Sequence, residues 1–274
     1  MSPIQTVSQV LEAIQQAKAG ATAFCTNFFP AQAKLQAWID HQELFGEARG
    51  HSAFFFRRDR DFFHLFFLAA SGSVLRQELA TLPELKTERL VADVVGNDAA
   101  LGDVLGLLES AGFRRYRRLS RLTRPAQPDQ PQTSTAGAQA VWAEPTDRQA
   151  ILDLLDRSFD HFADQIPMPY EIDAAIAGRQ VLAIKADGVL AALLFFETQG
   201  FTSIVRYWVV ANEFQSRGFG SALIRHYFAA QSAVRRFILW VTVDNENAVQ
   251  KYRHYGYVPD GLADHVLVNA AIPV

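Results

Sequence analysis

Residues Ser216-Arg217-Gly218-Phe219-Gly220-Ser221 offer what a bound oxyanion needs. The two glycines let an oxygen come close to the backbone, and the apolar positions Leu223, Ile224 and Phe228 predict that a helix starts there. The first N–H groups of a helix have no intrahelical partner and lie at the positive end of its dipole. A glycine turn feeding a helix start is therefore an anion site in outline. The preceding run, Ile204 to Val210, is rich in β-branched and aromatic residues and predicts a buried strand. Of two other phosphate-binding loops, one fails and the other matches only defectively. A nucleoside-triphosphate loop needs Lys and then Ser or Thr after its second glycine, where this chain has Ser221-Ala222. A dinucleotide loop needs a third small residue at position 223, which is Leu.

Further on, Phe237 to Val243 predicts another strand. Asn245-Glu246-Asn247-Ala248 and a short helix with Tyr252 follow it, ending at Gly256-Tyr257. The segments Gln215-x-x-Gly218-x-Gly220 and Asn245-x-x-Ala248-x-x-x-Tyr252-x-x-x-Gly256-Tyr257, in this order, resemble the paired motifs of the GNAT (Gcn5-related) N-acetyltransferases. The resemblance extends over residues 140 to 269. It implies acetyl-CoA as cofactor and transfer of an acetyl group to a primary amine by direct attack on the thioester. By position, the backbone of Trp208, Val209 and Val210 would pair with the pantetheine arm, with an N–H near Val210 as oxyanion donor. Gln215, Ser216, Arg217, Gly218, Phe219, Gly220 and Ser221 would wrap the pyrophosphate, and Asn245 would hydrogen-bond the arm. Tyr252 would meet the cofactor and protonate the departing thiolate. A phenol of ~10 keeps its proton at neutral pH and can serve a thiol of ~8.5.

Several of these residues have a plainer role open to them. Gln215 can hold its own loop by its amide, Arg217 can point to solvent, Asn245 can be only the N-cap of the next helix, and Tyr252 can be a core aromatic like Tyr255 and Tyr257. Glu197, at the end of the strand before Ile204, is the first choice for general base, against an exposed strand-end carboxylate. His161, Asp160 and Asp164 lie in the loop that covers the acceptor site in relatives, and that acidic loop suits a cationic amine or a solvated helix end equally. His226 reads as a surface residue of the helix after the glycine turn.

The elements that must position these groups spread over a chain of 274 residues, 49% apolar and 20% charged, which suits two globular domains. A net charge of −3 gives no field for nucleic acid. No apolar run reaches membrane length and the start has no basic and apolar leader, so a cytoplasmic location is expected. Cys25 is the one cysteine and reads as a small core residue. The seven histidines are scattered without ligand spacing, so no metal is expected.

The fold class expected is α/β (α+β): two GNAT-like mixed sheets flanked by helices and joined by a Pro-rich linker. The boundaries are 1–124, linker 125–139 (PAQPDQPQTSTAGAQ) and 140–274. In the first half, Val91, Asn97, Ala100 and Gly112-Phe113 echo Thr242-Val243, Asn245, Ala248 and Gly256-Tyr257, a diverged copy of one plan. That copy has no glycine turn able to cradle a pyrophosphate. Ala53–Phe56 and Phe62–Leu68 predict a hairpin buried on both faces with the arginines solvating its tip. The six arginines from Arg114 to Arg124 predict one wetted face of an edge strand. The partner expected is a small-molecule or peptide amine. A non-catalytic acyl-CoA sensor of the same fold is the alternative function, and the acceptor, acyl length and oligomeric state are not written in the sequence.

Overall fold

The structure, a computed structural model, describes residues 1–126 and 139–273, so the proline-rich linker falls almost wholly outside the described residues. The chain forms two compact units, Met1–Leu119 with Gly261–Val274, and Ser120–Asp260. The expected segments differ at the far end, where Gly261–Val274 joins the first unit and not residues 140–260.

The first unit contains, in chain order, β1 (Ser2–Pro3), α1 (Val7–Lys18), β2 (Cys25–Thr26), α2 (Gln32–Asp40), β3 (Leu44–Arg49), β4 (Ser52–Asp59), β5 (Phe62–Ala69), α3 (Gly72–Thr81), α4 (Glu84–Thr87), β6 (Leu90–Gly96) and α5 (Asp98–Ser110). Strand β7 (Phe113–Pro125) runs through the unit boundary. β3, β4 and β5 form an antiparallel meander, and β6 joins β5 in parallel after the α3 crossover. Alternation along the hairpin sends Phe54, Phe56, Leu65 and Phe67 into one core with Leu75, Leu79, Leu105 and Leu108. Ala53, Phe55 and Leu68 go to the other, with Val10, Leu35 and Trp38. Both faces are covered, as the sequence implies.

At the hairpin tip Arg58 and Arg60 are exposed as expected, but Arg57 and Asp59 are not. Arg57 is 2% exposed and Asp59 0%. They belong to a buried polar group in which His64 meets Asp59 Oδ2 through Nε2 and Asp93 Oδ2 through Nδ1, both at 3.3 Å. Arg57 lies 3.8 Å from Asp59 and 3.7 Å from Glu43. Burial works against a charged His64, but the bonds to Asp59 and Asp93 outweigh it and hold the imidazole above its ordinary range. A raised folded-state pKa stabilises fully below the unfolded value near 6.5 and is lost as pH rises through the folded value. Unfolding of the wild-type chain should therefore shift to lower temperature as pH rises past neutrality, and His64→Gln should flatten that slope. An identical slope in both proteins would show that folding does not shift this imidazole's pKa.

Residues 258–269 form one strand, β13 (Val258–Asn269). Its stretch Ala263–Val268 pairs antiparallel with β6, from Ala263 opposite Gly96 to Val268 opposite Val91. Asn269 then pins that edge. Its Oδ1 accepts the Leu90 N–H at 3.0 Å, and its Nδ2 donates to the carbonyls of Leu85 and Glu88 at 3.1 and 2.8 Å.

The second unit holds β8 (Val141–Trp142), α6 (Arg148–Ser158), α7 (Pro169–Ala177), β9 (Val181–Ala186), β10 (Val189–Gln199), β11 (Thr202–Val210), α8 (Phe219–Ala230), β12 (Arg236–Thr242) and α9 (Glu246–His254). β8 to β11 are antiparallel neighbours in order, and β12 lies parallel to β11. Asp147 precedes α6 without capping it, accepting the Glu144 N–H at 2.9 Å instead. Leu154, Leu155, Leu193, Phe196, Leu223, Ile224 and Tyr227 are among the core side chains. Arg124 is also inside, 2% exposed, with its guanidinium 3.9 Å from the Phe228 ring centroid. Arg121 is paired with Asp260 at 2.8 Å. The arginine run is thus no single wetted face.

Candidate active site

The parallel ladder between β11 and β12 stops early. Thr202 to Val205 are registered with Arg236 to Leu239, yet β11 runs on to Val210 and β12 to Thr242. On its other side β11 stays paired with β10 through Tyr207, Trp208, Val209 and Val210. Among the described residues no strand continues the ladder on the β12 side of Arg206–Val210, so one row of backbone N–H and C=O groups faces the parting. An irregularity marks where the gap begins. Phe195 is opposite Tyr207 and Phe196 opposite Val205, leaving Arg206 as the extra residue of a bulge, which bends a strand and raises its twist.

At the end of β11 the chain turns into α8. Ser216 has φ 64° and Gly218 φ 78°, and Gly218 is the N-cap with no side-chain cap bond. The N–H groups of Phe219, Gly220 and Ser221 are thus at a helix start with no intrahelical partners, the first such bond being from Ala222 to the Gly218 carbonyl at 3.0 Å. A Cβ on Gly218 would meet nothing within 4 Å, whereas one on Gly220 would sit 3.5 Å from the Trp208 indole nitrogen. The turn is thus open on the Gly218 side and packed on the Trp208 side. An uncapped helix start, a left-handed glycine and an adjoining unpaired strand edge together fit a long anionic group ending in an extended amide-bearing arm.

Tyr252, from α9, packs against Trp208 with ring centroids 5.5 Å apart and the rings tilted by 31°. Tyr255 meets the same indole edge-on, also at 5.5 Å, and its hydroxyl donates to Ser221 Oγ at 2.7 Å. The phenol of Tyr252 is therefore delivered beside the β11 edge, close to the start of α8. No hydrogen bond to its hydroxyl is present among the described residues. Burial pushes this phenol up to about 12, with the negative charge of Asp164 adding to the effect.

The other candidates are placed more plainly. Gln215 donates its amide to Asn212 Oδ1 at 2.9 Å and so holds its own loop. Arg217 is 52% exposed, over the Phe214 ring at 5.0 Å and 3.9 Å from Asp187. Asn245 caps α9, its Oδ1 accepting the Ala248 N–H at 3.1 Å. Glu197 is opposite Ile204, just before the ladder parts, with its carboxylate 3.9 Å from Arg206 Nε. His161 pairs with Asp156 at 3.1 Å, and His226 lies against Trp142 at 5.9 Å.

The sequence did not reveal what holds the loop of residues 160–165. Asp160 accepts the N–H groups of Phe162 and Ala163 at 2.9 and 3.0 Å, and Asp164 accepts that of Asp160 at 2.8 Å. These acidic groups tie the loop to itself. The loop is fastened to the sheet by Tyr207, whose hydroxyl donates to the carbonyls of Asp164 and Gln165 at 2.9 and 2.6 Å. In the linear chain Tyr207 is one aromatic among many. Arg206, the lone charge in IVRYWVV, was the one available sign of the bulge.

The family model of the acetyltransferase (GNAT) family matches residues 148–257, which contain the strand parting, the start of α8 and Tyr252. Residues 148–257 are thus similar to a GNAT domain. Solved structures extend the likeness of fold to the rest of the chain. A tandem GNAT protein from the clavulanic acid biosynthesis pathway is 16% identical with TM-score 0.60, over 100% of this chain and 98% of its own. A GCN5-related N-acetyltransferase from Sphaerobacter thermophilus is 12% identical with TM-score 0.60, over 97% and 92%. A third, from Kribbella flavida, is 16% identical with TM-score 0.58, over 87% and 93%. No curated protein gives a significant match to the sequence. This similarity supports acyl transfer as the general class of chemistry. Among the described residues no helix is long and apolar enough to cross a membrane.

Proposed function

We propose that the chain is an N-acetyltransferase that takes an acetyl group from acetyl-CoA and gives it to a primary amine, with residues 140–260 as the catalytic part and the first unit a degenerate copy in tandem. The observation that carries this reading is the meeting of three things in one unit. A strand edge parts from its neighbour after Val205, an uncapped helix starts at Gly218, and a phenol with no hydrogen-bond partner among the described residues packs on Trp208 of that strand.

Bound acetyl-CoA supplies the activated thioester and its thiol leaving group. The N–H groups at Phe219, Gly220 and Ser221 hold the pyrophosphate, with Gly218 leaving room for its oxygens. The free edge of Trp208, Val209 and Val210 pairs with the amide-bearing arm, and the N–H near Val210 stabilises charge developing on the carbonyl oxygen. Tyr252 donates its proton toward the leaving sulphur. At about 12 it is a weaker acid than a free phenol, and full transfer to a thiolate of ~8.5 is uphill by roughly 5 kcal/mol. Tyr252 therefore acts by sharing its proton as the bond to sulphur breaks, and it stays protonated through the whole neutral and mildly alkaline range. Glu197 is the proposed base for the incoming ammonium, and Arg206 beside it orients its carboxylate.

Thiol release measured with acetyl-CoA and a panel of polyamines, amino acids, aminoglycosides and peptide N-termini tests the reading. Amine-dependent release with at least one class is expected. Tight coenzyme A binding without release from any amine would identify a sensor instead of an enzyme.

A further inference from the structure

The first unit repeats the strand plan of the second, and its parallel pair also parts early. Between β5 and β6 only Phe63 with Leu90 and His64 with Val91 are registered. Beyond that point, however, β5 gains a different neighbour. β2 lies antiparallel to it, with Cys25 opposite Ala69 and Thr26 opposite Leu68.

The next residue spans the opening. Asn27 donates through Nδ2 to the carbonyl of Leu65 on β5 and to that of Asp93 on β6, both at 3.0 Å. Its Oδ1 accepts the Phe67 N–H at 2.7 Å, and its own N–H reaches the Phe67 carbonyl at 3.4 Å. Ala23 donates to the Ala70 carbonyl at 3.2 Å. The backbone groups that parting from β6 releases on β5 are therefore bonded by the chain itself. The helix that follows is closed as well. Ser71 caps α3, its Oγ accepting the Val74 N–H at 3.3 Å, where the corresponding start of α8 has no side-chain cap.

We propose that Cys25–Asn27 is a built-in occupant of the strand gap in the first unit, lying where the second unit would pair with the cofactor arm, and that this gap is closed to acyl-CoA. The comparison with a cofactor arm rests on the reading under Proposed function, whereas the seating of Asn27 does not. An occupant tethered in the same chain is present at high effective concentration, and displacing it would strand buried carbonyls and an N–H without partners. The degenerate copy has thus exchanged an external ligand for a piece of its own sequence.

Amide hydrogen exchange on the full chain, with and without coenzyme A, tests this. The Phe67 amide should be protected in the free protein and its rate unchanged at saturating coenzyme A, while amides at Phe219–Ser221 slow down. Asn27→Ala should speed exchange at Phe67 at least roughly tenfold, the loss of about one hydrogen bond's worth of local stability. Asn27→Asp keeps the acceptor for Phe67 but turns a carboxylate oxygen toward two carbonyls, and should also loosen the segment. Should either variant fail to fold, the wild-type rates still decide. Fast exchange at Phe67 in the free wild-type protein, loss of protection at Cys25–Asn27 on adding coenzyme A, or two coenzyme A molecules bound per chain would overturn the proposal. If no amide in the second unit responds to coenzyme A, the functional reading fails, and the Phe67 rates in wild type and Asn27→Ala still judge the occupant.

Discussion

Tyr252→Phe is expected to lower turnover by ~10²–10⁴ and leave coenzyme A affinity nearly unchanged. The substitution is diagnostic because it removes so little else. The ring keeps its packing against Trp208 at 5.5 Å, and no hydrogen bond to the hydroxyl among the described residues is lost. Nothing buried is left without a partner, so folding stability has no reason to fall. Steady-state thiol release together with a coenzyme A titration separates rate from binding. With the phenol pushed up to about 12, its proton is also present across the accessible alkaline range. The rate should therefore show no alkaline decline between about pH 8 and 10 from this group, whose ionisation lies above that window. An unchanged rate in a folded Tyr252→Phe protein would remove the residue from the mechanism.

Gly218→Asp should weaken coenzyme A binding by ~10²-fold or more, since like charges brought together at a binding surface cost several kcal/mol. Gly218 has φ 78°, a left-handed conformation that Asp tolerates better than most side chains, and a Cβ there meets nothing within 4 Å. The protein should accordingly still fold, at a cost of about 1 kcal/mol for the left-handed backbone. What the variant changes is the field at the start of α8, where three N–H groups and the positive dipole end await an anion and a carboxylate would now stand. Calorimetric titration of the full chain checks this, with Gly218→Asn as the uncharged control of similar shape. Equal losses in both variants would point to shape and not charge as the determinant.

What could be read from the chain divides by sequence distance. The helix start at Gly218, the cap by Asn245 and the spacing to Tyr252 are local, so residue type and interval suffice to find them. The hairpin of phenylalanines was legible for the same reason. The buried group of Arg57, Asp59, His64 and Asp93 was not, because only cross-strand register brings it together and each residue alone resembles a surface charge. The early parting of β11 from β12 is likewise a property of two strands. The bulge at Arg206 and the Tyr207 bond to the loop at Asp164 and Gln165 depend on it. Asn27 filling the gap in the first unit lies 38 residues from Leu65 and 66 from Asp93 and has no signature in the linear pattern.

The pairing of Ala263–Val268 with β6 bears on how the polypeptide is made. Domains normally mature in the order they leave the ribosome. Here β6 of the earlier-synthesised unit has β5 on one side but lacks its β13 neighbour on the other, and the Asn269 bonds that fasten Leu90, until translation has passed the whole later unit. During that interval the hydrophobic residues Val91 and Val94 of β6 lie on an unfinished edge, a stretch for which a chaperone or premature aggregation would compete. Ribosome-stalled chains ending at residue 260 should accordingly be cleaved by protease within residues 1–119 far faster than chains extended through residue 274.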